Sequence, residues 1–124
     1  MNSQRPVNLD LRTIKLPITA YVSILHRAAG VLLFVGLAIL LYGLDKSLSS
    51  EQGFAEVKEC LKSPLAKFVV WVLLSGLLYH MTMGIRHLIQ DMGFCETLQG
   101  GRLSAKIALV IAIVLIVLAG VWVW

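Results

Sequence analysis

The chain has 124 residues, 58% of them hydrophobic and only 15% charged, with a formal net charge of +4. Soluble domains are typically about 45–50% apolar and about 25% charged, so a water-soluble globule is excluded. The basic balance invites a nucleic-acid reading, but no basic tract is interleaved with aromatics, and nucleic acid is set aside.

Residues 1–20 read as a polar arm, in which Pro6 and Pro17 interrupt any long helix and Leu9, Leu11, Ile14 and Leu16 give scattered apolar anchors. The first apolar run, Ile24 to Leu44, is too long for a secretory signal core and lacks a cleavage site, so it reads as a retained span at about 21–45. The loop Asp45–Ser63 mixes acids and lysines, with a short amphipathic helix expected around Phe54–Leu61. Pro64 opens the second span, about 65–89, where its missing amide hydrogen is tolerated. Gly100 and Gly101 break the chain before a third span at about 105–124, which carries almost no polar group and ends on Trp122 and Trp124 as interfacial anchors. Each run is near the roughly 20 residues that cross a hydrocarbon core as a helix, and lipid forbids open strands. The expectation is one all-α integral membrane domain, 1–124, with three transmembrane helices.

Basic residues give the orientation. Arg5, Arg12, Lys15 and Arg27 share a side with Arg86, Arg102 and Lys106, against Lys46, Lys58, Lys62 and Lys67 opposite. The positive-inside rule puts the N-terminus and the 90–105 loop in the cytoplasm. Cys60 and Cys95 then fall on opposite sides, too far apart to bridge, and too few to hold an iron–sulfur cluster.

Several ionisable residues sit inside these apolar runs, where they are expensive and therefore mark a partner, a cofactor or a water-filled cavity. At about 100° per residue, Gly76, His80, Gly84, His87 and Asp91 share one narrow stripe of the second helix. On the first helix, Ser23, Arg27 and Gly30 cluster, with His26 at the edge. His80 and Arg27 both lie about 12 Å inside the cytoplasmic edge. Glycines beside a histidine let a large flat group or another helix approach closely. A neutral imidazole suits haem iron and an arginine suits haem propionates, while Ser23 and Arg27 supply the donors a quinone carbonyl needs. One chain offers a single deep histidine, so a six-coordinate haem needs a ligand from a neighbouring subunit. Arg86 points off the stripe and is expected to snorkel to the interface; Tyr79 and Trp71 read as packing. The stripe alone also admits a proton relay, or a haem-free anchor that only binds quinone.

Arg5-Pro6-Val7, Ser23-x-x-His26-Arg27 and His80-x-x-x-Gly84-Ile85-Arg86-His87-x-x-x-Asp91-x-Gly93 together resemble the cytochrome b membrane-anchor subunits of succinate dehydrogenase, nearest to the bacterial form, over nearly the whole chain. The resemblance implies half of a two-subunit haem-binding helix bundle in the bacterial inner membrane, with one haem b shared with a second small three-helix anchor. It implies docking of a flavoprotein subunit carrying FAD and of an iron–sulfur subunit, delivery of electrons from succinate to ubiquinone in the tricarboxylic acid cycle, and a heterotetramer that can trimerise. This chain alone would not oxidise succinate. By position, His80 matches the axial haem ligand, His26 and Arg27 the propionate region, and Ser23 and Arg27 the quinone site. His87 and Asp91 match the motif, in a supporting or proton-delivery role. Ala29 stands where the family pattern has a hydroxyl residue, and Gln90 where it has an aromatic or Met; neither touches the proposed ligand.

Overall fold

The computed structural model describes residues 5–124, and the first four residues of the expected arm, Met1 to Gln4, lie outside the described residues. Four helices follow in chain order: α1 (Ile18–Ser49), α2 (Glu51–Cys60), α3 (Pro64–Asp91) and α4 (Leu98–Val123). Three of them, α1, α3 and α4, are long and apolar enough to cross a membrane. At 1.5 Å per residue α1 is about 48 Å long, so it outruns a hydrocarbon core of about 30 Å, and its last turn carries Lys46.

Local chemistry sets the boundaries. In the arm, the Asn8 side chain accepts from the Asp10 amide at 3.1 Å and the Asp10 carboxylate accepts from the Arg12 amide at 3.0 Å, two Asx turns that give short polar side chains the place of a helix. Ser50 caps α2 by accepting from Gly53 N, and Ser63 caps α3 by accepting from Ala66 N with Pro64 behind it. Thr97 caps α4 by accepting from Gly100 N. Here the expectation fails: Gly100 and Gly101 do not break the chain but lie in the first turn of α4, which starts at Leu98 rather than near 105. The cap and the tight fit against Cys95 explain it, since a Cβ on Gly100 would stand 3.1 Å from the Cys95 Cα. The chain turns instead at Gly93 (φ 89°) and Cys95 (φ 58°). Cys60 and Cys95 are both free and exposed, at opposite ends of α3.

Helix α3 is the middle of the bundle, packed on α1 on one side and α4 on the other, and α1 also touches α4. The core is narrow: Val22 and Ala29 from α1, Tyr79 and Met83 from α3, and Ala105, Ala108 and Ala112 from α4. Alanines at that spacing let the α4 backbone approach closely, as small residues do between membrane helices. Two side-chain bonds pin the helices. Tyr79 Oη donates to the Val22 carbonyl at 2.8 Å, joining α3 to α1. Trp71 Nε1 donates to the Ile116 carbonyl at 3.0 Å, joining α3 to α4, over Gly120 whose missing Cβ makes room. Ser75 and Thr82 return their hydroxyls to carbonyls one turn back, so neither is left unpaired in lipid. Trp122 and Trp124 are exposed at the far end of α4, as interfacial anchors should be.

Helix α2 folds back on the end of α1 through Lys46 and Glu56, 2.7 Å apart. The Lys46 ammonium, by hydrogen bond and charge, holds the Glu56 carboxyl below its ordinary range. The clasp is therefore complete at neutral pH and opens only as pH falls through that lowered value. Gly53 is the closest contact: a Cβ there would run into the Lys46 carbonyl oxygen. Gly53→Ala is expected to destabilise the α1–α2 turn by about 1–3 kcal/mol. Gly43→Ala, which meets nothing within 4 Å, should be neutral or stabilising. Thermal unfolding in detergent checks both.

Candidate functional site

The three histidines of the chain converge between α1 and α3. The rings of His26 and His80 stack, with centroids 4.0 Å apart and planes 10° from parallel. His87 meets His26 edge-on at 5.3 Å and 67°. His87 and His80 are two turns apart on α3, so a ring from α1 slots between them. The helix glycines make this possible: a Cβ on Gly30 would stand 3.2 Å from His80 Cε1, and one on Gly84 would stand 4.0 Å from His26 Nε2. Ala29, one of the departures from the family pattern, lies buried in the core beside this cluster.

Hydrogen bonding fixes the protons. His80 Nδ1 lies 3.1 Å from the His26 main-chain oxygen. A carbonyl only accepts, so Nδ1 carries a proton, and in the neutral ring that leaves the lone pair on Nε2. His26 Nε2 is buried with no hydrogen-bond partner among the described residues. An orphaned buried nitrogen costs about 1–3 kcal/mol, and no side chain or carbonyl among the described residues offsets it.

Ser23 is half-buried, and Arg27 and Asp91 are exposed. Among the described residues no ion pair ties Arg27 or Asp91 into the bundle. The structure thus brings His26, His80 and His87 together, while among the described residues Ser23, Arg27 and Asp91 make no side-chain hydrogen bond or ion pair to the ring cluster. The tight His26–His80 stack went unread in the sequence, because a helical wheel carries no information on how two helices are rotated against each other.

Arg86 corrects a second expectation. It does not snorkel: it is 8% exposed, and its guanidinium donates from Nε to Ser104 Oγ at 3.0 Å and from Nη2 to the Gly101 carbonyl at 3.1 Å. The direction off the stripe was right, but α4 lies in that direction, not lipid.

These features define an all-helical, multi-pass membrane protein whose imidazoles face one buried seam. The model of the succinate dehydrogenase/fumarate reductase transmembrane subunit matches residues 1–119. The chain is similar to the succinate dehydrogenase cytochrome b556 subunit of Coxiella burnetii, 42% identical over the whole of both chains. It is also similar to that of Paracoccus denitrificans, 28% identical over 92% of this chain and 88% of the relative. The cytochrome b560 subunit of Reclinomonas americana is 31% identical over 96% and 86%. The chain belongs to the succinate dehydrogenase/fumarate reductase transmembrane subunit family.

Proposed function

We propose that this chain is the haem b-carrying membrane anchor of a succinate:ubiquinone oxidoreductase, with its N-terminus in the cytoplasm. The observation that carries the reading is His80, whose Nδ1–H is spent on the His26 carbonyl and whose Nε2 is left as a free lone pair. That is the tautomer a metal-ligating histidine needs, and the bond fixes the ring's orientation. Among the described residues no three metal-ligating side chains converge into a cage. One oriented imidazole with an uncommitted Nε2 is what a haem iron would ask of the protein.

In this reading His80 Nε2 would hold the iron, and the missing Cβ of Gly30 makes room for the His80 ring. The His26 imidazole and the exposed guanidinium of Arg27 would hold the acidic periphery of the group. Bound haem supplies a one-electron relay in the membrane. Ser23 and Arg27 donate hydrogen bonds to quinone oxygens, Arg27 adding the positive charge that a reduced oxygen requires. His87 and Asp91, stepping from the seam to the exposed end of α3, carry protons inward from water. Exposure of Arg27 in the isolated chain agrees with a site completed by other subunits: a second anchor, an iron–sulfur subunit and a flavoprotein holding FAD.

An affinity-tagged chain purified from membranes tests the whole. It is expected to bring three other subunits and a b-type band in the reduced-minus-oxidised spectrum. A chain that purifies alone, or a complete complex without that band, would sink the haem role.

A further inference from the structure

Arg86 poses a problem that the haem and quinone reading leaves untouched. It is a buried cation in a membrane helix, and among the described residues no carboxylate lies within ion-pair distance of it. Its protein partners, Ser104 Oγ and the Gly101 carbonyl, are neutral. Charges at this depth are normally paired, and two bonds leave most of the guanidinium's five N–H donors uncommitted. The side chain also lines a groove of about 340 Å³ between α3 and α4. That volume is within the range of small-molecule sites, roughly 300–1,000 Å³.

The groove has a polar end and an apolar end, ordered along the membrane normal. Arg86 is about 8 Å from the end of α3 at Asp91, and Ser104 about 9 Å from the start of α4 at Leu98. Both are thus near the inner edge of the headgroup zone. From there the lining runs deeper through Ile85 and Met81 on α3, and through Ile107, Ile111 and Leu115 on α4. Leu115 is about 26 Å from the α4 start. A charged head at interfacial depth above a lengthwise apolar channel is the shape of one lipid molecule. A basic pocket between membrane helices on the cytoplasmic side is a recurrent headgroup site.

We propose that the α3–α4 groove binds one anionic phospholipid, its phosphate on the Arg86 guanidinium and an acyl chain laid along Ile107, Ile111 and Leu115. The lipid neutralises Arg86 and seals the seam between the two helices. A neutral quinone would leave the charge unbalanced, and a free phosphate would leave the apolar channel empty.

The experiment uses the whole complex, exchanged against vesicles of phosphatidylglycerol mixed with phosphatidylcholine, then washed in mild detergent and assayed for retained lipid by mass spectrometry. Wild type is expected to keep phosphatidylglycerol over phosphatidylcholine. Ile111→Trp fills the channel without touching the Arg86 bonds, and should lower retention about tenfold. Arg86→Gln should keep lipid but lose the preference for the anionic head, by about tenfold for a charge-assisted bond. Equal retention of the two lipids by wild type, or unchanged retention in Ile111→Trp, overturns the proposal. So does a label-shielded Cys in the delipidated Ile111→Cys complex, which would put a protein helix over the groove.

Discussion

His80→Ala is expected to empty the complex of haem b while leaving the three spans folded. His80 is half-buried, and among the described residues its one side-chain hydrogen bond is to a main-chain oxygen, so the substitution should leave the helices in place. Removing a hydrogen-bond partner of a metal ligand already costs 10–100-fold in affinity, and loss of the ligand itself should cost at least as much. The b-type band should vanish, and flavoprotein activity with a soluble acceptor should persist. A companion variant separates ligand from neighbour. His26→Phe keeps an aromatic face against His80 and removes the orphaned Nε2, so thermal stability should hold or rise by about 1 kcal/mol. Its main-chain carbonyl still orients His80, so haem should stay bound with a shifted reduction potential. Gly30→Val crowds His80 Cε1 and should weaken haem binding with His80 still present. An unchanged b-type spectrum in His80→Ala would end the ligand assignment.

Much of this was legible in the chain because lipid leaves few choices. Apolar runs of helical length had to be helices, and Pro64 sits at the first position of α3 as its chemistry requires. The α2 helix, expected around Phe54–Leu61, forms at Glu51–Cys60, since Ser50 supplies the cap. The stripe on α3 was readable from spacing alone. What spacing could not carry were contacts between helices. Arg86 depends on Ser104 and Gly101, which are remote in sequence, and the sequence offered only the general habit of arginines to seek water. Gly100 and Gly101 read as a break because two glycines usually are one, whereas the Thr97 cap outweighs their flexibility. The His26–His80 stack required the rotation of α1 against α3, which Tyr79 sets through its bond to Val22.

Arg27→Ala is expected to slow quinone reduction roughly 100-fold, the scale of removing one donor aimed at developing oxyanion charge. Arg27 is exposed in the chain, and no ion pair among the described residues depends on it. The fold should therefore not change, unlike a loss at buried Arg86. Activity with an artificial acceptor at the flavin should stay within about twofold of wild type, because that route bypasses the membrane site. Arg27→Lys keeps the charge but not the forked donor geometry, and should recover part of the rate. Ser23→Ala, which removes one neutral donor worth about 1 kcal/mol, should slow the reaction several-fold and raise the quinone KM more than it lowers kcat. If both acceptor activities fall together in Arg27→Ala, the residue holds the assembly rather than the quinone. If neither falls, the quinone site lies elsewhere in the complex and the α1 cluster serves the haem alone.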